Sequence, residues 1–239
     1  MLSDIDHFKT GGTMKQYIAP SIICGDLLNL EKEIDNLNRA HVDLIHFDIM
    51  DSTFSPMDQT TALQPDLIPL IRQKTNIPLD IHIEIVEPIY LLQAILPYCK
   101  DCYVQFHIEC CSKINHYINV IKNAGAHPAI ALNSGTSLSL IDEVIENVEL
   151  IDLCTTNNRG MPHLFDKQIR NKIQKTRLMA DKTGKDIIVE VDGGISFEIA
   201  KKCKELGANC YVLGTKSIYK QEYPVYEMID KFRNEVLGE

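Results

Sequence analysis

Leu44-Ile45-His46-Phe47-Asp48-Ile49-Met50-Asp51 has the length and apolar content of a buried strand, yet it carries an imidazole and carboxylates. Side chains on a strand alternate between faces with period two. Ile45, Phe47 and Ile49 therefore share one face, and His46, Asp48 and Met50 share the other. An apolar face packs against a core. A His/Asp face either lines a site or makes a structural hydrogen bond, and this segment alone leaves both readings open.

Three further segments repeat the pattern. In Leu79-Asp80-Ile81-His82-Ile83-Glu84-Ile85, three isoleucines oppose Asp80, His82 and Glu84. In Ile187-Ile188-Val189-Glu190-Val191-Asp192-Gly193-Gly194, Val189 and Val191 oppose Glu190 and Asp192. Val104-Gln105-Phe106-His107-Ile108-Glu109 alternates in the same way. If the polar sides of these strands meet, they enclose several carboxylates and imidazoles.

Read in order, short apolar runs alternate with amphipathic stretches. Strands are predicted at Tyr17–Ile23, Leu44–Met50, Pro78–Ile85, Cys102–Ile108, His127–Leu132, Leu150–Thr155, Asp186–Val191 and Asn209–Leu213. Helices are predicted at Leu27–Leu37, Ala62–Gln73, Pro88–Leu96, Ile114–Lys122, Leu138–Glu146, Asp166–Lys182, Phe197–Leu206 and a final stretch ending near Val236. Eight strand–helix units with no break in composition imply parallel strands joined by crossover helices. A single (β/α)8 TIM barrel, an α/β fold, accounts for eight units; a doubly wound sheet is the alternative. In the barrel, sites form at the strand C-termini. That is where His46, Asp48, His82, Glu84, His107, Glu109 and Asp192 fall.

The 239 residues are 45% hydrophobic and 24% charged, enough for one sizeable core. The expected organisation is a polar N-terminal extension over 1–14, with a Gly11-Gly12 break, and a barrel domain over 15–239. A net charge of −9 argues against a nucleic-acid partner, although backbone N–H groups can still hold a small anion. No apolar run reaches the ~18–20 residues that span a bilayer, so no membrane partner is expected. The N-terminus has no basic region followed by an apolar core, so it does not read as a signal peptide. With eight cysteines and no such signal, free thiols in a cytoplasmic protein are expected; Cys99-x-x-Cys102 as a redox or zinc half-site is the alternative.

Facing carboxylates repel unless a cation lies between them or some are protonated. No lysine or arginine stands on the inward faces of these strands. One divalent metal ion is the economical solution, with His46 and His82 giving nitrogen and Asp48 and Asp192 giving oxygen, a set suited to Zn2+, Fe2+, Mn2+ or Co2+. Protonated or internally hydrogen-bonded acids are the alternative. Asp192-Gly193-Gly194 and Gly214-Thr215 each end a strand just before a helix. Glycine lets backbone N–H groups approach an anion, and in barrels this corner often holds phosphate; glycine also serves plain turns. A metal beside a phosphate pocket points to a sugar phosphate as the small-molecule partner.

From about Ile18 to Tyr219 the chain resembles the ribulose-phosphate 3-epimerase family, including its allulose-6-phosphate 3-epimerase relatives. The resemblance rests on Ala19-Pro20-Ser21-Ile22, Ile45-His46-Phe47-Asp48-Ile49-Met50-Asp51 with Phe54 and Pro56, and Leu79-Asp80-Ile81-His82. It continues through Phe106-His107-Ile108-Glu109, Ala131-Leu132-Asn133, Glu190-Val191-Asp192-Gly193-Gly194-Ile195 and Leu213-Gly214-Thr215. It implies a barrel of the ribulose-phosphate-binding type and a metal-dependent C3 epimerisation of a ketose phosphate, D-ribulose 5-phosphate to D-xylulose 5-phosphate in the pentose phosphate pathway. Asp48 and Asp192 are then the catalytic acid/base pair as well as metal ligands. The metal, held also by His46 and His82, stabilises a cis-enediolate between two proton transfers on opposite faces. Ser21, Met50 and His82 are implied to contact the sugar, and Gly193, Gly194, Gly214 and Thr215 the phosphate. Such proteins are commonly homo-oligomers.

The departures concern the shell that shapes the substrate. Glu84 stands where the family has methionine on the third strand, and Cys154 where it has methionine on the sixth. The loop after the sixth strand is Asn157-Asn158-Arg159-Gly160-Met161-Pro162-His163, in which Met161 and Pro162 replace two glycines and proline removes an N–H donor. The loop after the second strand is Asp51-Ser52-Thr53-Phe54-Ser55-Pro56-Met57, also altered. The alternatives are therefore a 3-epimerase for a hexulose 6-phosphate such as D-allulose 6-phosphate, or a non-catalytic sugar-phosphate-binding barrel.

Overall fold

The computed structural model describes residues 14–52, 54, 62–155 and 167–239. Most of the N-terminal extension and the loop over Asn157–His163 lie outside the described residues. Of the loop after the second strand, Asp51, Ser52 and Phe54 are described.

Eight parallel strands form one sheet: β1 Tyr17–Pro20, β2 Ile45–Met50, β3 Leu79–Glu84, β4 Tyr103–His107, β5 His127–Leu132, β6 Leu150–Cys154, β7 Ile188–Asp192 and β8 Cys210–Leu213. From β2 to β8 each strand pairs with its sequence neighbours, and β1 pairs with β8. The sheet closes between β1 and β2 through a parallel bridge from Ser21 to His46 and a 3.2 Å bond from the Leu44 N–H to the Ile18 carbonyl. The helices α1 Leu30–Arg39, α2 Leu67–Arg72, α3 Ile89–Ile95, α4 Ile114–Asn123, α5 Lys167–Lys182, α6 Phe197–Glu205 and α7 Val225–Phe232 connect the strands. This is the (β/α)8 barrel, and the doubly wound alternative falls.

Period-two alternation explains the layering. Ile45, Phe47, Ile49, Leu79, Ile81, Ile83, Val104, Phe106, Val189 and Val191 belong to the main core, with the buried residues of the helices. The opposite faces turn into the barrel. Its floor is a second apolar cluster of Ala19, Leu44, Ala129, Leu150, Ile188, Cys210 and Val212. The polar strand residues stand above that floor, nearer the strand C-termini.

Two helices differ from their sequence expectation. No α-helix forms over Leu138–Glu146. Short 3-10 turns at Leu138–Leu140 and Ile145–Asn147 take its place. Ile141, Val144, Ile145 and Val148 are still buried, so helical spacing correctly marked the inward face. The β-branched Ile141, Val144 and Ile145 and the Asp142 side chain favour a helix only weakly, and i→i+3 bonds suffice to bury the same side chains. The helix expected over Ala62–Gln73 is confined to α2, which begins two residues after Pro65. Pro69 is tolerated in its first turn, where the missing N–H has no helical partner.

Candidate active site and metal centre

The barrel interior carries His46 and Asp48 from β2, Asp80 and His82 from β3, Gln105 and His107 from β4, Asp152 and Cys154 from β6, and Glu190 and Asp192 from β7. All but Asp192 are buried, and Asp192 keeps a side-chain exposure of 23% at the open mouth. Small side chains on β5, Ala129 and Ala131, leave room between β4 and β6.

His46, Asp48, His82 and Asp192 converge. Each offers a ligand atom, and the four atoms lie within 4.8 Å of one another. His46 Nε2 is 3.2 Å from Asp48 Oδ1. His82 Nδ1 is 3.7 Å from that same oxygen and 3.8 Å from Asp192 Oδ2. His82 Nδ1 is buried without a hydrogen-bond partner. An orphaned imidazole nitrogen between two carboxylates costs free energy unless something occupies the space. Two imidazoles and two carboxylates around one point fit a divalent cation of the zinc, iron, manganese or cobalt kind. These residues could hold such an ion.

Supporting groups fix the ligands. Asp80 Oδ2 is 2.5 Å from His46 Nδ1, which leaves Nε2 for the centre. Gln105 Nε2 donates to Asp80 Oδ1 at 2.9 Å and to Glu190 Oε1 at 3.1 Å. The Cys210 thiol donates to Glu190 Oε2 at 2.8 Å. Ser21 Oγ donates to Asp48 Oδ2 at 2.9 Å, so its hydroxyl holds a ligand carboxylate.

The electrostatics separate the carboxyls. Burial raises the Asp48 pKa, but His46 and His82 outweigh it and hold the group well below the ordinary carboxylate value. For Asp192, burial outweighs the lowering by His46, Asp48 adds to the rise, and the carboxyl ends above its ordinary value. Burial, then Asp80 and Asp152, pushes Glu190 well up. Burial pulls both ligand imidazoles down. Asp48 and Asp80 nevertheless hold His46 well above its ordinary value, and Asp48, Glu84 and Asp152 hold His82 at about 9.

Gly193 and Gly194 follow Asp192 with φ of 103° and 64°, in the left-handed region that only glycine adopts freely. They turn the chain across the mouth, where the Thr155 hydroxyl donates to the Gly193 carbonyl at 2.5 Å. Gly214 and Thr215 follow β8, the strand next to β7, so the two glycine corners are neighbours. The Gly214 carbonyl accepts from the Ser217, Ile218 and Tyr219 N–H groups, which winds the next turn. Met50 is buried at the end of β2, in register with Glu84.

Other expected residues have different surroundings. Glu109 lies in a 3-10 turn beyond β4, where its carboxylate accepts from the Asn133 N–H at 2.8 Å and from the Thr136 hydroxyl, and lies 3.3 Å from His107 Nδ1. It props the loop after β5 and does not join the four-residue set. Cys99 and Cys102 are fully buried against the helices, the Cys99 thiol donating to the Ile95 carbonyl at 3.1 Å. All eight cysteines are free thiols. Asp152 is the interior residue that sequence reading passed over. It is fully buried, and burial followed by the Asp192 charge pushes its pKa to about 7. A lone Asp between Ile151 and Leu153, in register with Glu190 across β6 and β7, was the signal that could have found it.

Comparisons with known proteins identify the family. Residues 17–218 match the Ribulose-phosphate 3 epimerase family. The chain is 33% identical to the ribulose-phosphate 3-epimerase of Bacillus subtilis, over 85% of this chain and 92% of that protein. It is 28% identical to the ribulose-phosphate 3-epimerase of Escherichia coli K12, over 93% and 97% respectively. Among solved structures, a mutant tryptophan synthase alpha-subunit from Pyrococcus furiosus superposes with a TM-score of 0.64 at 14% identity, covering 95% of this chain and all of that one, a likeness of fold alone. No helix among the described residues is long and apolar enough to cross a membrane. With the matched span reaching from β1 past β8, and the relatives aligned over nearly their whole length, the chain belongs to the ribulose-phosphate 3-epimerase family, a family of carbohydrate isomerases.

Proposed function

We propose that the protein inverts C3 of a ketose phosphate by two-base proton transfer, with D-ribulose 5-phosphate as substrate and D-xylulose 5-phosphate as product. One observation carries the reading: Asp48 from β2 and Asp192 from β7 approach the same imidazole nitrogen from different strands, at 3.7 and 3.8 Å. Inversion needs one carboxyl on each face of the reacting carbon.

Asp48, ionised and steadied by Ser21, takes the C3 proton. Asp192 returns a proton to the opposite face, and the reverse reaction exchanges the roles. His46 Nε2, Asp48 Oδ1, His82 Nδ1 and Asp192 Oδ2 would hold the divalent ion. Bound there, it supplies electrostatic stabilisation for negative charge on the sugar oxygens. Gly193, Gly194, Gly214 and Thr215 hold the phosphate with backbone and hydroxyl groups, and Met50 borders the sugar.

The test is exchange of the C3 hydrogen of D-ribulose 5-phosphate in D2O, followed by NMR with metal-replete protein. Deuterium at C3 together with xylulose 5-phosphate supports the assignment; an unexchanged C3 contradicts it. Glu84 supports a second reading. It is a carboxylate in register with Met50 at the mouth, able to accept from the additional hydroxyl of a hexulose 6-phosphate. A higher kcat/KM on D-allulose 6-phosphate than on D-ribulose 5-phosphate would favour it.

A further inference from the structure

A second cluster of ligand atoms lies on the far side of the His82 ring. His82 Nδ1 faces the two aspartates, and His82 Nε2 faces His107 Nε2 at 2.9 Å. The two rings are stacked, with centroids 5.0 Å apart and planes 21° apart. Cys154 Sγ reaches to 4.0 Å from His107 Nε2. On β5, which separates β4 from β6, the small Ala131 stands in register with His107 and Asp152. His82, His107 and Cys154 each offer a ligand atom within 4.8 Å of the others, and all three are buried. Phe54 covers the cluster, its ring centroid 4.4 Å from that of His107.

The spacing is close to what a tetrahedral cation needs. Ligand bonds of about 2.0–2.1 Å to nitrogen and 2.3 Å to sulfur put two nitrogens roughly 3.4 Å apart and nitrogen and sulfur roughly 3.6 Å apart. The rings must part by about half an ångström, and the thiol must close by a similar amount. A second unpartnered polar atom stands beside the cluster. Asp152, fully buried, lies with Oδ2 3.5 Å from Cys154 Sγ, while its Oδ1 has no hydrogen-bond partner.

The geometry points to a second cation site, made by His82 Nε2, His107 Nε2 and Cys154 Sγ with the Asp152 carboxylate beside the sulfur, that takes a thiophilic ion such as Zn2+ or Cd2+. The first centre offers nitrogen and oxygen, and this one offers nitrogen and sulfur. Softness of the ligands therefore separates their preferences: Mn2+ enters only the first, and Cd2+ enters both. On binding, the His82–His107 proton and the Cys154 thiol proton leave to solvent, and His82 becomes an imidazolate shared by two ions. The site does not depend on which sugar the protein turns over.

The experiment titrates metal-free full-length protein with CdCl2 and, separately, MnCl2, with metal per chain counted by elemental analysis after gel filtration. The cadmium–thiolate charge-transfer band is followed in the near ultraviolet. Wild type is expected to hold two Cd2+ and one Mn2+ per chain, with the band growing as the second Cd2+ enters. Cys154→Met and, independently, His107→Asn are expected to hold one Cd2+ and to lose the band, so that failure of one variant to fold leaves the other to decide. Asp48→Asn is expected to keep the band while losing Mn2+. A single Cd2+ in wild type, or a band that survives in both Cys154→Met and His107→Asn, overturns the second site. Failure of Mn2+ to bind wild type would instead count against the first centre.

Discussion

Asp80 Oδ2 lies 2.5 Å from His46 Nδ1, and both groups are fully buried. The contact fixes the ring so that Nε2 faces Asp48, and it makes the imidazole a better donor to a cation. Asp80→Asn keeps the shape and removes the charge. A 10–100-fold weaker metal affinity is expected, the usual effect of removing such a partner, with the fold retained. Competition with a fluorescent chelator checks it, and an unchanged affinity would remove Asp80 from the account.

Asp48→Asn and Asp192→Asn should each lower kcat for C3 epimerisation by at least about 100-fold, since each removes a proton-transfer group. Both proteins should retain the far-ultraviolet circular dichroism of wild type. A coupled assay for the product reads the rates. Near-normal turnover in either variant would mean that the pair does not act on C3.

Asp152 predicts a pH dependence of stability in metal-free protein. Burial, with Asp192 nearby, keeps its proton bound to about pH 7 in the folded chain, against 3.8 for the ordinary carboxyl. Between those values the folded state holds the extra proton, so stability falls as pH rises and stays lower above pH 7. Asp152→Asn removes this contribution. Its Tm relative to wild type should therefore climb by a few degrees between pH 5 and pH 8, as ~1 kcal/mol moves Tm by about 2–4 °C at this size. Thermal melts in chelator at both pH values test it, and a pH-independent difference would contradict it.

Lys172 on α5 predicts a stability effect remote from the metal. Its Nζ donates to the carbonyls of Asn133, Ser134 and Thr136 at 2.8, 2.9 and 2.6 Å, holding the loop after β5. Lys172→Met leaves three carbonyls without their charged donor and should cost about 2–3 kcal/mol. Urea unfolding measures it. Metal affinity should change less than in Asp80→Asn, because the Asn133 N–H of this loop reaches the site through Glu109 and His107 rather than by touching the four residues.

Much of this site was legible in the chain because a barrel strand obeys period two. Ile45, Phe47 and Ile49 against His46 and Asp48 separate an apolar face from a polar one, and the same pattern on β3 and β7, once eight units implied a barrel, put the polar faces inside. Convergence also followed once eight units implied a barrel, since topology places strand C-termini around one axis. The alternation did not reveal which polar residues meet. Glu109 kept the strand pattern of His107, but the chain leaves the sheet after His107, and the carboxylate turns to the next loop. Asp152 was hidden by Leu150, Ile151 and Leu153, whose run reads as a buried strand without a functional face. The Ser21 hydroxyl lies on Asp48, a relation between segments 27 residues apart that no local pattern encodes. Helical spacing over Leu138–Glu146 identified the buried Ile141, Val144 and Ile145 but not the tighter turns that bury them.

In the proposed centre His46 Nε2, Asp48 Oδ1, His82 Nδ1 and Asp192 Oδ2 serve one cation. Manganese anomalous diffraction from crystals of the Mn2+-loaded protein tests it most directly. The account predicts one peak within roughly 2.0–2.3 Å of all four atoms. A peak ligated elsewhere, or one that leaves out either Asp48 or Asp192, would contradict it.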